Sequence, residues 1–342
     1  MSGTVLVTGG SGFLGSWCVQ VLLARGYTVR TTVRTAAKAE FLKSIPGAAE
    51  RLTIFDGVDL LSPGAFEEAM TACDAVLHTA SPFFFAGGTE DSLVVPAVTG
   101  TRNVLDTCRK LGIKKVVLTA STACIYVDYG TRPDDHVYSD QDWSDEALLR
   151  EKENWYALSK TKAERLAWDL SREEGCPYRL ATINPSLILG PQLPGQPHLN
   201  TSSSAVVCYI DGSMSELVNA CRAIVDVRDV AEAHVAALEN EDALGHRFLM
   251  IGQSAHGTEI ANAARDALPE DMKANVPSKL SETLPPPAMG PRAPNPILFD
   301  NSPSAQMLGI RYKSTDEMVK TAVQSLLDNG FNSTSMYSIH KL

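Results

Sequence analysis

Tyr156 and Lys160 stand four residues apart in the run Trp155-Tyr156-Ala157-Leu158-Ser159-Lys160. That spacing puts both on one face of a helix. A phenol titrates near about pH 10 in water and exchanges protons poorly at neutrality. An ammonium one turn away favours the phenolate and should bring that value down. The pair is therefore suited to giving a proton to an oxygen that gains charge as a carbonyl is reduced. A second hydroxyl would steady the same oxygen. Ser121 and Thr122 both follow the apolar run Val116 to Thr119, at the end of an expected strand. Ser121 is the expected partner, and the sequence leaves Thr122 open beside it.

Reduction needs a hydride source, and the N-terminus supplies a place for one. Gly9, Gly12 and Gly15 follow the short apolar run Thr4 to Thr8 directly and open a helical stretch. In such a turn the first glycine allows the bend, the second a close approach to a pyrophosphate, and the third tight helix packing. Ser11, Phe13 and Leu14 lie within the same turn, whose backbone amides would face the phosphates. An NAD site usually carries Asp or Glu about 20 residues further on. Here that place is held by Arg34, with Lys38 just beyond. Two cations suit a 2′-phosphate, so NADPH/NADP+ is the expected cofactor.

These groups need a scaffold that brings them together. Apolar strands are expected at Thr4 to Thr8, Tyr27 to Arg34, Leu52 to Phe55, Ala75 to Thr79 and Lys115 to Thr119, with a helix over about 91–110. Strands separated by helices predict a parallel, doubly wound α/β sheet. Beyond it the pattern predicts a helix from Trp155 to Leu170 and a strand from Tyr178 to Ile183. A long loop should follow over 190–204, then a strand from Ala223 to Val227 and a helix from Val230 to Leu238. A strand from His246 to Ile251 and a last helix over 316–327 complete the reading. The prolines between 277 and 298 exclude regular structure there. Residues 1–185 with about 222–252 should form the nucleotide part. Residues 186–221 and 253–330 should form a smaller substrate lobe, and 331–342 a loose tail.

The 342 residues carry 30 basic and 40 acidic side chains, a formal charge of −10. That balance argues against a nucleic-acid or anionic-membrane partner, and no apolar run is long enough to span a bilayer. The seven cysteines include no CxxC pair. This points to a reducing, cytoplasmic setting with neither a disulfide framework nor a metal site. His78 and His234 read as packing histidines, and Asp226, Arg228 and Asp229 as structural charges.

The segments TVLVTGGSGFLGSW, GYTVRTTVR, LHTASPF, VTGTRNVL, VVLTAS, WYALSK, NPSLILGP and VDVRDVAEAH resemble the extended short-chain dehydrogenase/reductases over nearly the whole chain. Within that family the chain is similar to the group holding cinnamoyl-CoA reductase, dihydroflavonol reductase and yeast methylglyoxal reductase. The resemblance implies a Rossmann-type sheet with a smaller mixed α/β C-terminal lobe. It implies Ser121, Tyr156 and Lys160 as catalytic residues, with Asn103 supporting proton relay. It also implies that Thr79, Ala80, Ser81, Thr119, Pro185, Leu187 and Ile188 line the cofactor. A substrate wall of Ser81, Phe83, Phe84, Phe85, Ser121, Tyr126, Asn200 and Tyr209 follows in the same way. Ala157 stands where cinnamoyl-CoA reductases carry Cys, and Ala205 and Cys208 where a His and a Lys recognise the CoA thioester. Tyr126 stands where dihydroflavonol reductase has a substrate-binding Asn. The expected activity is accordingly NADPH-dependent reduction of an aldehyde or ketone, aromatic or 2-oxo, by a monomer or homodimer. A cinnamoyl-CoA-reductase-like thioester reductase or a flavonoid reductase is the alternative. The Arg34 signal opposes epimerase chemistry, and the intact Ser121, Tyr156 and Lys160 set opposes a non-catalytic NADPH sensor.

Overall fold

The computed structural model describes residues 3–81, 88–197, 199, 201–282 and 295–330. Among these residues the strands form two sheets. The larger is seven-stranded in the order β3-β2-β1-β4-β5-β6-β9. It is built from β1 (Thr4–Thr8), β2 (Thr28–Thr32), β3 (Leu52–Phe55), β4 (Ala75–His78), β5 (Lys115–Thr119), β6 (Arg179–Pro185) and β9 (Arg247–Met250). Every neighbouring pair is parallel. The order reverses between β1 and β4, which opens a crevice at their carboxyl ends.

Alternating side chains explain why this sheet is buried on both faces. Val5, Val7, Leu77, Val117 and Ile183 pack with the helices Phe13–Ala24 and Val227–Glu239. Leu6, Val76, Val116, Leu118 and Leu180 point the other way, toward Val95–Leu111 and Trp155–Arg172. The strands are short apolar runs because both faces of each one are covered.

The smaller sheet runs β10-β8-β7, from Gln253–His256, Cys221–Asp226 and Leu187–Leu189. β8 pairs parallel with β7 and antiparallel with β10. Helices Thr201–Ile210, Gly257–Ala267 and Thr315–Asp328 pack over a second core that includes Val206, Val207, Ile210, Ile260 and Val323. The architecture is thus a Rossmann-like parallel α/β core with a smaller mixed lobe.

Several details differ from the sequence expectation, which also placed no element at β10 or at the helix Gly257–Ala267. β7 was not foreseen, because three residues, set off from Pro185 by Ser186 alone, give too short a pattern. The loop expected over 190–204 ends at the helix Thr201–Ile210. Its Ser-rich start reads as loop, yet Val206, Val207 and Ile210 gain burial in the second core, and tertiary packing overrides weak propensity. The strand expected near 223–227 forms as β8, but it joins the smaller sheet rather than the nucleotide sheet.

Candidate active site

Tyr156 lies in the first turn of Trp155–Arg172. Asn154 caps that helix: its Oδ1 accepts from the Ala157 amide at 3.1 Å and its Nδ2 donates to Tyr129 Oη at 2.9 Å. Lys160 sits one turn on, with Nζ 5.9 Å from the Tyr156 ring centroid. Nζ donates to Ser81 Oγ at 2.8 Å. Ser121 follows β5 and is 7% exposed. Its Oγ accepts from the Ala123 amide at 3.1 Å, which leaves its own proton for the Tyr156 hydroxyl, to which it is hydrogen-bonded. Thr122 instead bonds the Tyr126 hydroxyl. The structure therefore brings Ser121, not Thr122, to Tyr156.

The electrostatics differ from the expectation that the lysine lowers the tyrosine. Burial pushes the Tyr156 hydroxyl above its ordinary value, and the Ser121 hydrogen bond pulls it back only in part. Burial also pushes Lys160 down, to about 8. Desolvation acts on both partners toward their neutral forms. Tyr156 is consequently held protonated, the state that a proton donor needs. Burial likewise keeps the nearby His78 neutral, pushed down to about 3, with Lys160 adding to the effect. Its Nδ1 shares a 2.8 Å hydrogen bond with Thr8 Oγ1. His234 is pushed down to about 4 by burial and bridges Thr119 Oγ1 and Val230 O at 2.7 and 2.8 Å.

The glycine turn has the shape that a pyrophosphate requires. Gly9 has φ +71, and a Cβ on it would stand 3.1 Å from Ala80 Cα. A Cβ on Gly15 would stand 2.4 Å from Gly9 O. Gly12 is the N-cap of Phe13–Ala24 and offers no side-chain cap. The first amides of that helix, Phe13 and Leu14 among them, therefore face outward toward an anion. Ser11 lies in the turn itself. Thr79 Oγ1 donates to Thr8 O at 2.6 Å and the Ala80 amide to Thr8 Oγ1 at 3.1 Å. These bonds lock the ends of β1 and β4 together beside the turn. Arg34 and Lys38 are exposed just past β2, and neither has an ion-pair partner among the described residues. Two uncommitted cations near this turn fit a dinucleotide that carries an extra phosphate. Pro185 ends β6, and Leu187 and Ile188 begin β7 on the adjoining edge.

Not every expected residue converges here. Asn103 Nδ2 donates to Leu60 O at 3.0 Å, so its amide is committed to the segment after β3 rather than to Lys160. Its helix is seated against Leu60, whose Cγ lies 2.5 Å from where a Gly100 Cβ would stand. Tyr209 is 4% exposed inside the second core, so it is a packing residue of the small lobe. Tyr126 does stand near Tyr156, whose charge it opposes, and packs edge-on to Tyr138 at 6.0 Å. Ser81 is held against Lys160. Phe83, Phe84, Phe85 and Asn200 lie outside the described residues. Ala205 and Cys208 are half-buried on one helix, three residues apart, and so share a face.

The structure adds residues that sequence reasoning did not single out. Gln196 Nε2 donates to Ser11 O at 3.4 Å, which brings the small-lobe loop onto the glycine turn. No motif marks it. Asn184 and Glu164 lie behind Ser121 and Tyr156, and the 156-160-164 spacing was the available signal for Glu164. The structural charges bind as expected. Arg228 pairs with Asp226 and reaches Glu317, and Lys313 pairs with Asp229. No helix among the described residues is long and apolar enough to cross a membrane.

Comparison with known proteins agrees with this fold. The family model described as NAD dependent epimerase/dehydratase family matches residues 5–252. A cinnamoyl-CoA reductase of Medicago truncatula is 37% identical over 337 residues, which is 97% of this chain and 98% of that protein. A tetraketide alpha-pyrone reductase of Arabidopsis thaliana is 35% identical over 340 residues, again 97% and 98% of the two chains. Among solved structures, Gre2 from Candida albicans in complex with NADPH superposes with a TM-score of 0.81 at 31% identity, covering 96% of this chain and 99% of that one. The chain belongs to the NAD dependent epimerase/dehydratase family and, within it, to the extended short-chain dehydrogenase/reductases.

Proposed function

We propose that the protein is an NADPH-dependent carbonyl reductase whose preferred substrate is a conjugated aromatic acyl thioester, as in cinnamoyl-CoA reductases. The observation that carries the chemistry is the buried hydrogen bond between Ser121 and Tyr156, with Lys160 one turn away, beside the glycine turn. The relatives support the thioester. Ala157, Ala205 and Cys208 led the sequence reading to place free aldehydes and ketones first. Likeness to a cinnamoyl-CoA reductase over 97% of the chain reverses that order.

Bound NADPH would supply the hydride, with the Phe13 and Leu14 amides on its pyrophosphate and Arg34 and Lys38 on its 2′-phosphate. Once substrate is bound, Ser121 turns its hydroxyl proton from Tyr156 to the substrate carbonyl oxygen and stabilises the charge that grows there. Tyr156 gives its proton to that oxygen once the acyl carbon has gained hydride. The resulting hydroxyl then loses its proton as the carbon–sulfur bond breaks and the sulfur leaves as a thiol. The products are an aldehyde, a free thiol and oxidised cofactor. Lys160, held beside Tyr156, relays a solvent proton back to the phenolate.

The second reading, a reductase of free aldehydes and ketones, is favoured by the replaced thioester-recognition residues at Ala205 and Cys208. NADPH consumption with feruloyl-CoA, small aldehydes and aryl ketones, with product identification, separates the two. A kcat/KM on feruloyl-CoA at least tenfold above the others is expected. A reverse ratio selects the second reading.

A further inference from the structure

The groups behind the reactive pair form one buried hub. Asn184 lies in β6, beside the end of β5 that leads to Ser121, where Thr119 pairs with Ile183. Its Nδ2 donates to Ser121 O at 3.2 Å and to Glu164 Oε2 at 2.8 Å. Both partners are acceptors, so only this orientation of the amide is satisfied. Glu164 shares the helix of Tyr156 and Lys160, at successive steps of four that place all three on one side. It is 1% exposed. Its carboxylate also accepts from Thr182 Oγ1 at 2.8 Å, and from Arg247 Nε and Nη2 at 2.8 and 3.1 Å. Arg247 is itself fixed: it donates to Asp140 O and Asp142 O at 2.6 and 2.7 Å and lies 3.6 Å over the Trp143 ring.

A buried ion pair is a poor way to gain stability alone, because desolvation offsets much of its attraction. Here it does something that an apolar pair cannot. Through one amide it ties the Ser121 loop to the helix that carries Tyr156. We propose that Asn184 is a positioning residue which, anchored by the Glu164–Arg247 pair, holds Ser121 in register with Tyr156. This assignment rests on Ser121 and Tyr156 being the reacting hydroxyls.

The test uses the full chain with NADPH and its best carbonyl substrate. Asn184→Leu and Asn184→Ser remove the double donor, one with similar bulk and one with less. Misplacement of a reacting group by a fraction of an ångström to about 1 Å lowers turnover by up to about 100-fold. The expected result is kcat lowered about 10- to 100-fold, with KM for the carbonyl and Kd for NADPH within about twofold of the parent. The alkaline limb of the kcat/KM profile, which reports the substrate-free enzyme, should also move to higher pH, since Tyr156 there loses part of the Ser121 bond that stabilises its phenolate. A lower Tm with unchanged kcat and unchanged pH profile overturns the assignment in favour of simple packing, as does failure of both variants to fold. Tyr156→Phe is run alongside. If that variant keeps parental turnover, the active-site reading fails. If it is inactive while both Asn184 variants turn over normally, the positioning role alone fails.

Discussion

Gly12 and Gly15 belong to one turn, yet the structure assigns them different work, and alanine at each separates the two. At Gly15 a Cβ would stand 2.4 Å from Gly9 O, 3.0 Å from Thr79 Oγ1 and 3.1 Å from Gly10 Cα. Carbon and oxygen rest at a little over about 3 Å, so this overlap approaches 1 Å against fixed backbone. The start of the helix must move away from the turn by a comparable amount. Overpacking of this kind typically costs about 1–3 kcal/mol, a drop of about 1–4 °C in Tm for a chain of this length. The same displacement pulls the Phe13 and Leu14 amides off the phosphates. At Gly12 the backbone is extended, with φ −74, and the nearest atom to a Cβ is Gly9 O at 3.2 Å. Gly12→Ala should therefore leave the cofactor-free Tm within about 1 °C, while its methyl group fills the space where a pyrophosphate must come close. Thermal melts without cofactor and fluorescence titration with NADPH read the two effects apart. Gly15→Ala should lower Tm and weaken NADPH at least tenfold, whereas Gly12→Ala should weaken NADPH alone. A Gly15→Ala protein with parental Tm and parental affinity would refute the packing argument.

Three further outcomes follow from the site. Arg34→Asp should lower kcat/KM for NADPH by more than tenfold and leave NADH unharmed or improved, and an unchanged cofactor ratio would remove Arg34 from the 2′-phosphate. Lys160, pushed down to about 8, is charged at a cost in the folded state at neutral pH. The unfolded chain binds this proton more tightly, so stability from this group rises as pH climbs from 8 toward 10.5. Lys160→Met should accordingly raise the cofactor-free stability at pH 7, by on the order of 3 kcal/mol before any loss of the Ser81 bond. Calorimetric melts at pH 7 and 10 check both the sign and its disappearance. His234, pushed down to about 4, stays neutral when folded but takes up a proton on unfolding below its ordinary value. Stability must fall as pH drops from about 6.5 to 4. His234→Gln should flatten that fall by close to one proton, about 1.4 kcal/mol per pH unit, in urea titrations; an unaltered slope would show that the imidazole is charged in the fold.

What the sequence disclosed was local. The glycine turn, the Tyr156–Lys160 spacing and the buried strands depend on residues a few positions apart, and each formed where its pattern placed it. Choosing Ser121 over Thr122 needed the direction of two adjacent hydroxyls, which spacing does not encode. The Tyr156 shift went against expectation because charge proximity is visible in a sequence and desolvation is not. Asn103 followed from resemblance, and its amide went to Leu60, a partner supplied by packing far along the chain. The same reason hid β7, the membership of β8 in the second sheet and the Asn184–Glu164–Arg247 hub, whose members meet only after the sheet has assembled.

The central claim is that Tyr156 supplies the proton for a carbonyl reduced with NADPH. The most direct measurement is NADPH consumption with product identification, run on the parent and Tyr156→Phe at matched cofactor saturation. General-acid loss typically costs about 10²- to 10⁴-fold. The account predicts a fall of at least about 100-fold in kcat with Kd for NADPH within about twofold of the parent. Near-parental product formation by Tyr156→Phe would contradict it.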